Sequence, residues 1–141
     1  MTQWVVLDTN VLVSGFLRPG SISNQLLLEA VAGHFLLVTS PALMEELDRV
    51  LRYPKLAVAF PDPAAVVGRI QSIASMVVPG ERLTAAADEA DNRVLEAAIA
   101  GRADVIVTGD RGLLAVGSAY ARIQLLTPKQ FADLLEHQSP P

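Results

Sequence analysis

The chain reads as a single three-layer α/β/α domain built on a central, mainly parallel sheet, and three observations lead there. Short apolar runs rich in β-branched residues recur along the 141 residues. They are near-continuous rather than alternating in polarity, as in strands buried on both faces of a parallel sheet. Helix-start signals stand between most of them, and a chain that alternates strand and helix lays its helices on both faces of the sheet. Hydrophobic residues make up 51% of the chain, enough for one substantial core. Residues 1–141 are therefore expected to form one domain, with 136–141 as a flexible tail.

The first run, Trp4–Leu7, is a strand that ends at Asp8. Helical sequence follows, and a helix starting near Ser23 would stop at Gly33 before the second strand, Phe35–Thr39. Ser40-Pro41 and Asp62-Pro63 each set a capping side chain just before a proline at the first helical position, so two helices lie ahead of the third strand, Met76–Val78. Pro79–Ala87 is the least structured interior segment. Asp88 would N-cap the next helix, and Gly101 stands where a left-handed stop is expected. Val105–Thr108 and Ile123–Leu126 read as consecutive strands. Thr127-Pro128 with Gln130 forms a capping box that opens the last helix.

Composition removes several chemistries. No cysteine is present, which excludes disulfides, thiolate nucleophiles and cysteine-ligated zinc or iron–sulfur sites. The two histidines, His34 and His137, are far apart, and His137 falls at the polar C-terminal end. No stretch approaches the roughly 18–20 apolar residues that span a bilayer, and the N-terminus enters WVVLD without a basic flank, so a cytoplasmic location is expected. The net charge of −4 argues only weakly against a polyanionic partner. Setting aside four acids as metal ligands would leave 11 acids against 11 bases, nine of them arginines. Trp4, Phe35 and Phe131 read as core rather than as platforms for stacking bases.

Carboxylates remain as the chemically capable groups, and four stand out. Asp8 closes the first strand and Asp110 follows the fourth, so both fall at the carboxyl edge of the sheet, where α/β folds bind ligands. Each taken alone could be only a turn residue or helix cap. In the helix from Pro41 the apolar stripe is Leu43, Leu47, Val50 and Leu51. Glu46 borders that stripe, whereas Glu45, Asp48 and Arg49 point away. In the helix after Asp88, Asp91 is spaced three, four, seven and eight residues from Val94, Leu95, Ala98 and Ile99, which puts it on the buried stripe. A carboxylate aimed at a core needs a partner. Four converging acids call for a hard divalent cation, and oxygen-only ligation points to Mg²⁺ or Mn²⁺, one or two ions. Hydrolysis of a phosphodiester is the chemistry such a centre suits.

The segments VVLDTNVLVSG, SPALMEELDRVL and DEADNRVLEAAIAGRADVIVTGDRGLL resemble, in order and spacing, those of the PIN-domain nucleases, most nearly the VapC-like toxin components of toxin–antitoxin pairs. The resemblance implies a PIN-like α/β/α fold and a Mg²⁺- or Mn²⁺-dependent endoribonuclease acting on single-stranded RNA. It also implies the toxin role in a type II pair, a cognate antitoxin and a homodimer. It sets the family's four acids on Asp8, Glu46, Asp91 and Asp110, with Thr9, Asn10, Ser14 and Thr108 as supporting polar residues. Asp88 competes for the third position, and the core-facing spacing favours Asp91.

Two other classes are weighed. A haloacid-dehalogenase-like phosphatase needs a second aspartate where this chain has Asn10, and a catalytic lysine that neither Lys55 nor Lys129 supplies well. A PIN-fold module that binds RNA or protein without cleaving would differ in lacking metal-dependent activity.

Overall fold

The computed structural model describes residues 2–116 and 122–138. Along them run β1 (Trp4–Leu7), α1 (Thr9–Leu17), α2 (Ile22–Val31), β2 (Leu36–Thr39), α3 (Pro41–Leu51), α4 (Pro54–Ala57), α5 (Pro63–Ile73), β3 (Ser75–Met76), α6 (Glu89–Ala100), β4 (Val105–Val107), α7 (Arg111–Val116), β5 (Gln124–Leu126) and α8 (Pro128–Gln138). The five strands pair in the order β3-β2-β1-β4-β5, and every pairing is parallel. The chain winds outward from β1 to β2 and β3 on one side, then returns to build β4 and β5 on the other. The order therefore reverses between β1 and β4, and the crevice beyond their carboxyl ends is the switch point of an open α/β sheet.

Burial explains the near-continuous apolar runs. Val5, Val6, Val105, Ile106 and Val107 are fully buried at the centre of the sheet. Helix α6 packs across β1, β2 and β4 and against α3, while α1 and α2 pair with each other, α2 reaching α8. Phe35 and Phe131 meet edge to face at 5.1 Å and close the core between β2 and α8. No helix among the described residues is long and apolar enough to cross a membrane.

Capping chemistry marks the helix starts as expected. Ser40 accepts from the Leu43 amide and Asp62 from Ala65, and the Thr127–Gln130 box closes in both directions. Five expectations are corrected. Trp4 is 38% exposed, as the first residue of β1 at the sheet's amino edge, beside the equally exposed Leu36 that starts β2. The third strand is Ser75–Met76, shorter and earlier than Met76–Val78. Two helices were not foreseen, the four-residue α4 and the six-residue α7 between β4 and β5. Gly33 does adopt the left-handed stop (φ +83°), but Gly101 does not, and Arg102 takes that conformation instead (φ 52°). Gly101 is needed for space, since a Cβ there would lie 2.5 Å from the Val38 Cγ1 of β2. Finally, Glu136–Gln138 continue α8, and His137 bonds the Asp133 carbonyl within it, while residues 139–141 of the expected tail lie outside the described residues.

Candidate metal centre

The register of β1 and β4 brings the strand-end acids together. Leu7 pairs with Val107, and the Asp8 amide bonds the Val107 carbonyl at 3.0 Å, so Asp8 stands beside Thr108. The fully buried Thr108 hydroxyl donates to Asp8 Oδ2 at 2.7 Å and accepts the Asp110 amide at 3.0 Å. One hydroxyl thus fixes both acids across the switch point. Asp8 Oδ1 takes the Thr9 amide at 2.8 Å, and the Thr9 hydroxyl donates to Glu46 Oε2 at 3.1 Å, which ties α3 to the same edge.

Asp91 occupies the buried face of α6 and is 5% exposed, as its spacing predicts. Its carboxylate comes together with those of Asp88 and Asp110, one oxygen from each lying within 4.8 Å of the others. Helical phase favours Asp91 over Asp88 for the third position, yet the fold brings both to one point. Its side chain also caps α6 through the Ala90 amide at 2.9 Å, a duty that in sequence looks complete by itself. Asp110 has the same double character: Oδ1 accepts the amides of Gly112 at 2.7 Å and Leu113 at 3.4 Å, opening α7. The helix-cap reading and the site reading therefore hold together. Three helix N-termini, of α1, α6 and α7, converge on the acids and set partial positive charge against them.

That compensation is incomplete. At 4.8 Å and an effective dielectric of ~20, two carboxylates repel by roughly 3 kcal/mol. Among the described residues nothing donates a hydrogen bond to the Asp91 carboxylate. Burial, and then the charges of Asp110, Asp8, Asp88 and Glu46, push its pKa from 3.8 to about 7. Asp8 is raised by burial despite the Thr108 and Thr9 hydrogen bonds, and Glu46 is raised by burial against its bond from Thr9. Oxygen-only donors, one of them buried without a partner in a like-charged cluster, suit a hard divalent cation.

Of the supporting residues, Thr9 and Thr108 each hold an acid. Asn10 is exposed and Ser14 half-buried, and neither side chain bonds any of the acids. Gly112 went unnoticed in the sequence. A Cβ there would stand 3.1 Å from Asp110 Oδ1 and 3.8 Å from Asp91 Oδ2, so the glycine keeps the mouth of the cluster open. Its place in TGDRG, two residues after a strand-end acid, is the signal that could have pointed to it.

The PIN-domain family model matches residues 4–112. An uncharacterized protein of Methanocaldococcus jannaschii, MJ1680, is 27% identical over 94% of this chain and 91% of its own length. Among solved structures, PAE2754 from Pyrobaculum aerophilum superposes with a TM-score of 0.61 at 15% identity, covering 97% of this chain and 91% of that one. FitAcB from Neisseria gonorrhoeae gives 0.53 at 17% identity, covering 89% and 98%.

Proposed function

This chain belongs to the PIN-domain family, whose members are generally nucleases, and we propose that it is a Mg²⁺- or Mn²⁺-dependent endoribonuclease that hydrolyses phosphodiester bonds in single-stranded RNA. The observation that carries this reading is the buried, partnerless Asp91 carboxylate grouped with those of Asp88 and Asp110, with Asp8 and Glu46 beside them. These five acids would hold one or two ions. Bound there, a divalent ion supplies a Lewis acid for phosphate oxygens and a water of lowered pKa.

The chain's own residues prepare the rest. Thr108 and Thr9 orient the carboxylates of Asp8 and Glu46, and the Gly112 and Leu113 amides orient that of Asp110, so little reorganisation is needed on binding. Gly112 leaves the approach to Asp91 and Asp110 unobstructed. RNA rather than another phosphodiester rests on the resemblance of the three motifs to the VapC-like proteins.

The toxin role, an antitoxin partner, a homodimer and a cytoplasmic location belong to the same reading. A partner protein is supported by a groove of about 470 Å³ between α2 and α5, where Leu28 and Val31 are 61% and 66% exposed. Sequencing RNA ends after brief induction of wild type and Asp8→Asn tests activity and target together. Discrete new ends with wild type alone are expected, with slowed growth if the protein is a toxin. Identical ends from both would overturn the reading. A purified protein that takes up no Mn²⁺ and cleaves nothing would leave a non-catalytic binding module.

A further inference from the structure

Residues 77–88, between β3 and α6, contain neither helix nor strand, yet this segment delivers Asp88 to the metal centre. Its backbone must find partners elsewhere, and two side chains of α6 provide them. Asn92, fully buried, accepts the Ala86 amide on Oδ1 at 2.8 Å and donates from Nδ2 to the Ala86 carbonyl at 3.0 Å. One turn later Glu96, 7% exposed, accepts the Leu83 amide at 2.7 Å and the Arg93 guanidinium at 2.8 Å. The same guanidinium nitrogen of Arg93 reaches the Leu83 carbonyl at 3.3 Å. Both polar backbone groups of Leu83 and both of Ala86 are therefore held by side chains of the helix that carries Asp91.

We propose that Asn92 and Glu96 are positioning residues, a two-point clamp that holds the 83–88 segment so that Asp88 stays beside Asp91 and Asp110. This rests on the metal-centre reading above and extends it to residues that touch no ligand. Three acids within 4.8 Å push one another apart, and Asp88 is the one held only by the frayable first turn of α6 that it caps and by the irregular segment leading into it. Without the clamp the repulsion is relieved by the segment swinging outward and the Asp88 cap fraying from α6 with it, and an arriving cation then has to reorder both. Asparagine suits the inner point because a single amide both donates and accepts. An aspartate there would satisfy only the Ala86 amide and would add charge beside the cluster.

The test is Mn²⁺ titration by calorimetry of the full chain, wild type against Asn92→Ala, Glu96→Ala and Glu96→Gln, with amide hydrogen exchange on the same proteins. Asn24→Ala, which removes a comparable bond to the Gly15 carbonyl away from the site, is the control. Wild type and Asn24→Ala are expected to bind Mn²⁺ alike. Asn92→Ala and Glu96→Ala should bind at least tenfold more weakly and lose protection at Ala86 and Leu83, with the β1 and β4 amides still protected. Glu96→Gln keeps an acceptor for the Leu83 amide and should recover most of the affinity. Should Asn92→Ala fail to fold, the Glu96→Ala and Glu96→Gln pair decides. Unchanged Mn²⁺ affinity in a folded variant that has lost the Ala86 or Leu83 protection overturns the clamp and leaves the metal centre standing. A wild type that binds no Mn²⁺ overturns both.

Discussion

Asp91→Asn should stabilise the metal-free protein while abolishing cleavage. The carboxylate is raised from 3.8 to about 7 by burial and by four neighbouring acids. That shift of roughly three pH units corresponds to ~4 kcal/mol at ~1.4 kcal/mol per unit, a ceiling that solvent and salt lower. An isosteric amide removes the charge, so a gain of about 1–3 kcal/mol is expected at pH 8, or roughly 3–10 °C in Tm. The sign follows from proton binding. Between about pH 4 and 7 folded Asp91 keeps a proton that the unfolded chain has released, so its contribution to stability is largest at low pH and is lost as pH rises through about 7. Burial raises Asp8 and Glu46 as well, which adds to the same slope. Thermal denaturation in EDTA at pH 5, 6, 7 and 8 should show the variant's advantage growing with pH. Added Mn²⁺ should then raise the Tm of wild type above pH 7 and leave the variant unmoved. A variant less stable than wild type at pH 8, or a wild type whose metal-free stability climbs from pH 5 to 8, would refute the electrostatic argument.

Three further predictions follow from single contacts. Glu46→Gln should cut RNA cleavage at least tenfold while Glu45→Gln leaves it intact, since only Glu46 turns toward the cluster and meets Thr9; steady-state cleavage assays compare the neighbours directly. Thr108→Val removes the hydroxyl that joins Asp8 to Asp110 and should cost about 1–3 kcal/mol in urea unfolding. Thr108→Ser should restore both stability and cleavage. Gly112→Ala should weaken Mn²⁺ binding measured by calorimetry, because the added Cβ crowds Asp110 Oδ1 at 3.1 Å, yet change Tm by no more than a few degrees.

Much of this architecture was legible in local chemistry. Ser40, Asp62 and Thr127 cap helices through contacts made within three residues, so their pattern survives in the linear chain. Helical phase likewise separates Glu46 from Glu45 and buries Asp91, because side-chain direction in a helix depends only on spacing. The strand-end positions of Asp8 and Asp110 follow from where the apolar runs stop. Helix α7 was not legible: its six residues are too few to carry a periodic stripe, and its start depends on the carboxylate of Asp110 turning back onto the Gly112 and Leu113 amides. Trp4 shows the converse limit, since a large aromatic in an apolar run looks like core, and only the fold sets it at the exposed amino end of β1.

The amino-acid sequence by itself determined an α/β/α domain, the carboxyl ends of its two central strands, and four acids set at the sheet edge or on the inward side of a helix. Tertiary structure alone decided how those acids meet. Parallel pairing of β1 with β4 set Thr108 between Asp8 and Asp110. The segment pinned by Asn92 and Glu96 carried Asp88 in as a fifth carboxylate. Spacing along a helix is a local property that sequence encodes directly. The distance between a strand end, a loop and a helix face depends on register and on long-range hydrogen bonds, and these exist only once the sheet has formed.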